Sequence, residues 1–236
     1  RDRVHMFAVR KPVGVCGLIT PWNFPAAIPA WKLAPALICG NTVVMKPASA
    51  SPLSAWRIIE ACHDAGIPKG VVNFVAGPGS SLGNALIDAP AVKAISFTGS
   101  TGIGHAIHAR ASQRRQRIQL EMGGKNPTIV LADAHFESAV ENVVNASFFS
   151  TGQKCTATSR AIVEESIFDR FVEAVVARTK KLKVGNGMEA GIEIGPCVDK
   201  GQMDTVLGYI EKGRAECGAP LCGGNRLTGG AYDHGW

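Results

Sequence analysis

The sequence predicts an α/β protein with a doubly wound parallel sheet followed by a second α/β unit. Short apolar segments of strand length alternate with segments of helical periodicity, and this alternation is typical of parallel sheets flanked by helices. The alternation stops at Gly123 and Gly124 and then restarts, which predicts two units, residues 1–122 and 123–236. With 46% hydrophobic and 19% charged residues, the chain has a globular composition.

The first unit is expected to contain five strands and four helices. The predicted strands are Val13–Ile19, Thr42–Met45, Val71–Val75, Ala94–Phe97 and Ile118–Leu120. The predicted helices are Ala26–Leu37, Leu53–Ala65, Ser81–Ile87 and Gly102–Ala111. In such sheets ligands bind beyond the carboxyl ends of the strands, so the loops after the strands should line one crevice. These loops are Pro21–Asn23, Lys46–Ser49, Gly77–Gly79 and Thr98–Thr101.

The second unit is expected to contain three strands and three helices. The predicted strands are Thr128–Leu131, Ala161–Glu164 and Leu221–Cys222. The predicted helices are Phe136–Phe149, Ile167–Leu182 and Gln202–Cys217. Their apolar residues recur with the period of a helix that buries one face.

Composition excludes several classes of protein. No apolar run approaches the roughly 20 residues of a membrane span, so no membrane partner is expected. The net charge of +6 suits an anionic ligand such as a dinucleotide phosphate. The densest cluster of basic residues lies at the end of a predicted helix and contains Arg114, Arg115 and Arg117. Cations at this end complement the helix dipole, so no nucleic-acid partner is expected. Seven cysteines without a Cys-x-x-Cys motif predict free thiols in a reducing, cytoplasmic location.

The segment from Phe97 to Gly104 joins a strand to a helix and contains hydroxyl groups and glycines. Such a junction presents free N–H groups and a positive dipole end to a phosphate. Its glycine spacing differs from the Gly-x-Gly-x-x-Gly dinucleotide fingerprint, so spacing alone indicates phosphate binding only weakly. His105 and His108 follow one turn apart, but no cysteine or acidic residue stands at ligand spacing, and no metal site is expected.

Three residues are candidates for catalytic chemistry. Cys155 follows a glycine-containing turn beside Lys154, where a cation would favour the thiolate, although a lone cysteine is more often a buried apolar residue. Glu121 ends a strand at the expected crevice and could act as a general base or simply lie in solvent. Asn23 lies between two prolines and could donate to an oxyanion or serve only to form a turn.

Five motifs together resemble the NAD(P)-dependent aldehyde dehydrogenase superfamily, in its order and spacing. They are Pro21-Trp22-Asn23-Phe24-Pro25, Lys46-Pro47-Ala48, Phe97-Thr98-Gly99-Ser100, Leu120-Glu121-Met122-Gly123-Gly124-Lys125 and Gly152-Gln153-Lys154-Cys155. The resemblance covers essentially the whole chain. It implies a partial, Rossmann-like NAD(P)-binding domain over residues 1–122 and a partial catalytic domain over residues 123–236, within a protein about twice as long.

The resemblance also implies roles for single residues. Cys155 is expected to attack the aldehyde and form a thiohemiacetal, with Asn23 holding the oxyanion. Glu121 is expected to activate the water that hydrolyses the later thioester. The expected cofactor contacts are Trp22, Lys46, Ser49, Gly79, Gly99, Ser100, Thr101 and Gly104.

Ser49 bears on the choice of cofactor. Members of the family that prefer NAD often carry a glutamate three residues after the lysine, and that carboxylate repels a 2′-phosphate. A neutral serine removes the repulsion, so NADP is expected to be accepted and preferred, with NAD as the alternative.

The strings around Trp31 and Phe149 most resemble bacterial 2,5-dioxovalerate (α-ketoglutaric semialdehyde) dehydrogenases. Succinate-semialdehyde dehydrogenases usually carry arginines at these two positions, so that carboxylate clamp is expected to be absent. Succinate semialdehyde, betaine aldehyde and general aliphatic aldehydes remain alternative substrates.

A non-catalytic binding or structural member is a further alternative, which the presence of all three catalytic candidates disfavours. A homodimer or homotetramer is expected at full length.

Overall fold

The computed structural model describes residues 4–236, so the first three residues of the predicted first unit lie outside it. The chain divides into two compact units between Gly123 and Gly124. The predicted α/β class, with a doubly wound parallel sheet, is confirmed. No helix in the described range is both long and apolar enough to span a bilayer.

The first unit contains a five-stranded parallel sheet in the order β3-β2-β1-β4-β5. Its strands are β1 (Val15–Ile19), β2 (Thr42–Lys46), β3 (Val72–Phe74), β4 (Val92–Gly99) and β5 (Arg117–Met122). The strand order reverses between β1 and β4. At such a switch point the loops at the carboxyl edge diverge and leave a crevice, which is where sheets of this class bind ligands.

Helices pack on both faces of this sheet. They are α1 (Ala27–Ile38), α2 (Pro52–Asp64), α3 (Asn84–Asp88) and α4 (Thr101–Gln113). One hydrophobic cluster joins Leu33 of α1 and Ala55 of α2 to buried residues of β1 and β2. The other joins Ile107 of α4 to Ile95 and Phe97 of β4. Alternate residues of the strands therefore face alternate layers of helices.

The predicted helix Ser81–Ile87 is shorter in the structure. Residues Gly79–Gly83 form a π-helical turn, and only Asn84–Asp88 continue as an α-helix. The turn contains two glycines and two serines, which are poor helix formers and supply little apolar surface.

The second unit contains a pair of parallel strands, β6 (Asn126–Val130) and β7 (Thr158–Val163). Its helices are α5 (Phe136–Phe148), α6 (Phe168–Thr179) and α7 (Lys200–Cys217). Val130, Val140, Val143 and Phe171 form the buried centre, where Phe136 meets Phe171 edge to face at 5.9 Å.

The predicted strand Leu221–Cys222 is wrong. Leu221 is 68% exposed, and Gly223 and Gly224 follow with φ of +67° and +80°. Arg214 Nη2 donates to the carbonyl oxygen of Gly224 over 2.8 Å and folds this segment back onto α7. A strand needs a neighbour to satisfy its backbone, and among the described residues of this unit only β6 and β7 form a ladder.

Candidate active site

The carboxyl edge of the first sheet gathers the loops that the sequence predicts to bind a cofactor. Because the strands are parallel, their carboxyl ends lie at one edge, and Ile19 pairs with Lys46 on one side and Phe97 on the other. Ser49 Oγ donates to the carbonyl oxygen of Gly77 over 3.2 Å. This bond ties the loop after β2 to the loop after β3.

Asn23 lies in the short loop between β1 and α1. The Ile28 amide donates to the carbonyl oxygen of Phe24 over 3.1 Å, so the helical hydrogen bonds begin within this loop. Asn23 and Trp22 are both half-buried. A carboxamide on a loop held at both ends presents its N–H group in a restricted position, as oxyanion stabilisation requires.

Lys46 ends β2 and is only 4% exposed. Its Nζ donates to the carbonyl oxygen of Pro47 over 2.9 Å, and no other partner for this nitrogen is found among the described residues. Burial lowers the pKa of Lys46 below its usual value. An ammonium carries three donors, so Lys46 retains donors for the hydroxyl groups of a ribose.

The glycines of the predicted cofactor site fall into two groups. A Cβ on Gly79 would meet no atom within 4 Å, so its backbone is open to a ligand. A Cβ on Gly99 would lie 2.5 Å from Cζ of Phe97, and one on Gly104 would lie 2.4 Å from Sδ of Met122. Gly99 and Gly104 therefore allow close packing of β4, β5 and α4 beneath the crevice.

Ser100 and Thr101 are exposed at the amino end of α4. The amide of Gly104 donates to the carbonyl oxygen of Ser100 over 3.0 Å and closes the first helical turn. The first N–H groups of a helix have no partner within it and carry a positive partial charge, so this end of α4 suits a pyrophosphate.

Glu121 is exposed near the carboxyl end of β5. The side-chain amide of Gln119, on the same face of the strand, donates to Glu121 Oε1 over 2.8 Å. This bond restricts the carboxylate while leaving it open to solvent, which is compatible with a general base.

Lys32 of α1 was missed by the sequence reasoning. It is 8% exposed, and its Nζ donates to Ser96 Oγ over 2.8 Å and to Gln119 Oε1 over 3.3 Å. Burial lowers the pKa of Lys32 to about 8, and the negative charge of Glu121 opposes the shift. The contacts of Lys32 with Ser96 and Gln119 join α1 to β4 and β5, which no local motif could have indicated.

Cys155 of the second unit is exposed on a turn between α5 and β7. Its backbone N–H donates to none of the described residues, whereas its carbonyl oxygen accepts from Asn126 Nδ2 over 2.8 Å. Lys154 Nζ donates to the carbonyl oxygen of Asn145 over 3.1 Å, at the end of α5. Cys155 is thus exposed, and its backbone N–H has no hydrogen-bond partner among the described residues.

Asn126 was also missed. Besides its bond to Cys155, its Nδ2 donates to the carbonyl oxygen of Ala157 over 3.0 Å. It stands at the start of β6 and anchors the turn to the sheet. The only signal in the sequence was its place directly after the Gly-Gly-Lys string.

The backbone before Cys155 is strained. Ser150 and Thr151 both have φ of +57°, and Gly152 has φ of +66°. The left-handed conformation costs a residue other than glycine about 1–2 kcal/mol. Two such residues in succession persist only where surrounding contacts stabilise them, and strained backbone of this kind is concentrated at functional sites.

The other candidate features show no ligand site. His105 and His108 are exposed on α4, and the described residues contain no group of three or more His, Cys, Asp or Glu placed to hold a metal ion. All seven cysteines are free thiols.

The aldehyde dehydrogenase family model matches residues 1–236. The chain is 49% identical over 231 residues to the α-ketoglutaric semialdehyde dehydrogenase of Bacillus subtilis, covering 98% of this chain and 47% of that protein. It is 47% identical to retinaldehyde dehydrogenase 3 of Mus musculus, covering 96% and 44%. The chain thus spans about half the length of these relatives.

A similar solved structure is the betaine aldehyde dehydrogenase of Staphylococcus aureus in complex with NAD+. It matches with a TM-score of 0.92 and 40% identity, covering 95% of this chain and 44% of that one.

Proposed function

The chain belongs to the aldehyde dehydrogenase family, and from this premise we propose that the protein oxidises an aldehyde to a carboxylic acid with NAD(P)+. The observation that carries the proposal is the exposed Cys155, whose thiol and backbone N–H are both available on an anchored turn. Residues 1–122 would form part of the NAD(P)-binding domain and residues 123–236 part of the catalytic domain.

The carboxyl edge of the first sheet fits a dinucleotide. The buried Lys46 ammonium has donors for ribose hydroxyls, and a Cβ on Gly79 would meet no atom within 4 Å, so its backbone is open to a ligand. Ser100 and Thr101 present the amino end of α4 to the pyrophosphate, while Trp22 borders the same edge. When bound, the dinucleotide supplies the acceptor for a hydride.

Cys155 acts as the nucleophile in this proposal. Its thiolate forms a C–S bond to the aldehyde carbon, and the carbonyl π electrons move to oxygen. The resulting oxyanion accepts hydrogen bonds from the Cys155 N–H and the Asn23 carboxamide. Loss of a hydride from the same carbon restores the carbonyl and leaves a thioester on Cys155.

Glu121 acts as the general base for hydrolysis. It takes a proton from a water molecule whose oxygen attacks the thioester carbon. The C–S bond then breaks, the carboxylic acid leaves and the thiolate is restored. The hydrogen bond from Gln119 orients the Glu121 carboxylate for this step.

The test compares Cys155→Ala with Cys217→Ala in the full-length protein, since both cysteines are exposed. We expect Cys155→Ala to lower kcat/KM for aldehyde oxidation by at least about a thousandfold, because the covalent route is lost. Cys217→Ala should match the wild type. Normal activity of Cys155→Ala would refute the mechanism, and an inactive wild type across a broad aldehyde panel would favour a binding or structural role.

For the substrate, the proposal is 2,5-dioxovalerate, also called α-ketoglutaric semialdehyde, which would yield 2-oxoglutarate. The Bacillus subtilis relative carries that name, and Trp31 and Phe149 replace the arginines of a succinate-semialdehyde clamp. A panel with succinate semialdehyde, betaine aldehyde, retinal and hexanal at equal cofactor concentration tests it. A higher kcat/KM for any of these competitors would overturn the assignment.

For the cofactor, the proposal is that NADP is accepted and preferred over NAD. Ser49 is exposed and neutral beside Lys46, so a 2′-phosphate meets no carboxylate at this position. Ser49→Glu should lower kcat/KM for NADP about tenfold or more through charge repulsion, and affect NAD much less. A hundredfold preference of the wild type for NAD would contradict the proposal.

We further propose a cytoplasmic homodimer or homotetramer. Seven free thiols favour a reducing compartment. Light scattering of the full-length protein measures the oligomeric state.

A further inference from the structure

The turn that carries Cys155 is held from one side by a segment more than forty residues further along the chain. This segment, Gly195–Val198, contacts two side chains of the turn, Thr151 and Gln153. We propose that Thr151 and Gln153 are positioning residues that keep the Cys155 thiol and N–H in their reactive arrangement by binding this segment. The proposal rests on the proposed function, in which Cys155 is the nucleophile.

Gln153 makes two contacts with the segment. Its Oε1 accepts a hydrogen bond from the Val198 amide over 2.9 Å, and its Nε2 lies 3.4 Å from the carbonyl oxygen of Pro196. The same Nε2 lies 3.4 Å from the carbonyl oxygen of Ser150 in the turn itself. One carboxamide therefore links the distant segment to the strained backbone.

Thr151 adds a second link. Its hydroxyl donates to the carbonyl oxygen of Gly195 over 2.9 Å and lies 3.4 Å from that of Pro196. The segment is itself fixed, because the Cys197 amide donates to the carbonyl oxygen of Trp236 over 2.7 Å. The turn is thus attached to a segment that has its own backbone support.

These contacts explain why the strained turn persists. Ser150 and Thr151 occupy the left-handed region, which disfavours side chains with a Cβ, and they come directly after α5 and Phe149. Asn126 holds the turn on the far side of Cys155, through the carbonyl oxygens of Cys155 and Ala157. The Cys155 backbone is therefore fixed before it by the segment and after it by β6.

Loss of these contacts is expected to affect the transition state of the reaction more than the binding of substrate or cofactor. An oxyanion donor must stand at hydrogen-bond distance from the developing charge, so a small displacement of the Cys155 N–H weakens acyl transfer more than it weakens binding. Loss of the Thr151 or Gln153 contacts should therefore lower kcat while leaving KM for the cofactor nearly unchanged.

The experiment uses the full-length protein and the pair Thr151→Val and Thr151→Ser. Valine keeps the branched shape but removes the hydroxyl, whereas serine restores it. Readouts are kcat and KM for aldehyde oxidation, and acylation by p-nitrophenyl acetate without cofactor. A third readout is iodoacetamide labelling of Cys155 across pH, measured by mass spectrometry against the exposed Cys217 in the same sample.

We expect Thr151→Val to lower kcat and ester acylation about tenfold with less than a twofold change in cofactor KM, and Thr151→Ser to recover most of the loss. The Cys155 labelling profile should shift relative to Cys217. Gln153→Glu, which keeps the acceptor but loses both donors, should behave like Thr151→Val.

If the folded Thr151→Val and Gln153→Glu variants both show the kinetics and the Cys155 labelling of the wild type, the positioning role is overturned. An equal loss in Thr151→Ser and Thr151→Val would also overturn it. Failure of the proposed function is separate, because it would appear as full activity in Cys155→Ala.

Discussion

The two units present their candidate catalytic groups by different structural means. In the first unit, Asn23, Lys46 and Glu121 stand at or just beyond the ends of regular strands, so sheet register determines where they lie. In the second unit, Cys155 stands on a strained turn whose position depends on side-chain hydrogen bonds to Asn126 and to the Gly195–Val198 segment.

The difference between the two units shows what fixes the positions of the candidate catalytic groups. Register is enforced by many backbone hydrogen bonds and by burial, so a single substitution seldom displaces a strand end. A turn held by a few side-chain bonds is more sensitive to single changes. We expect a substitution of a candidate catalytic residue in the first unit to impair a single chemical step. A substitution that loosens the turn of the second unit should lower the reactivity of Cys155 in every step that uses it.

The largest effect that tests this division is Glu121→Gln. We expect it to keep a burst of NAD(P)H formation, because in the proposed mechanism thiohemiacetal formation and hydride loss do not use the carboxylate. Steady-state turnover should fall about 10²–10⁴-fold, because thioester hydrolysis loses its base. Rapid-mixing absorbance measurements separate the two phases.

The control for this variant is Glu137→Gln, an exposed glutamate of α5, which should keep both phases. Loss of the burst in Glu121→Gln, together with loss of turnover, would mean that Glu121 also contributes to the acylation step.

A smaller effect is expected in the pH dependence of the free energy of unfolding when Lys32→Met is compared with the wild type. Below about pH 8, folded and unfolded chains both carry the Lys32 proton, and the cost of burying the ammonium is fully present. As the pH rises from about 8 toward the usual pKa of 10.5, the folded state loses this proton first. The wild type should therefore gain up to about 3 kcal/mol in free energy of unfolding relative to Lys32→Met.

Urea unfolding at several pH values across this window measures the gain. Lys212→Met, at an exposed position of α7, is the matched control and should show a constant difference from the wild type. A constant difference for Lys32→Met would indicate that the buried ammonium is not destabilising.

The smallest effect concerns two glycines of α4. Gly104→Ala should lower the free energy of unfolding by about 1–3 kcal/mol, because its Cβ would overlap Met122 beneath the crevice. Gly102→Ala has open space and should be neutral or stabilising by up to about 1 kcal/mol. Denaturant unfolding of both variants measures the difference. If both substitutions change the free energy of unfolding equally, packing at this position does not require Gly104.

The sequence predicted most of the fold because apolar periodicity is a local signal. The four loops at the carboxyl edge were anticipated, since parallel strands must end at one edge. The strand Leu221–Cys222 was predicted wrongly because a short apolar pair does not reveal whether a neighbouring strand is available. Lys32 and Asn126 were missed because each acts through partners on distant elements.

The sequence by itself determined the α/β class, the order of its elements and membership of the aldehyde dehydrogenase family, since each depends on patterns or motifs within short stretches of chain. The roles of Cys155, Glu121 and Asn23 stay predictions. Only the tertiary structure decided that Lys32 reaches Gln119 and that Gly195–Val198 holds the turn before Cys155. Hydrogen bonds between groups far apart in sequence form only after the chain has packed, so no local pattern encodes them.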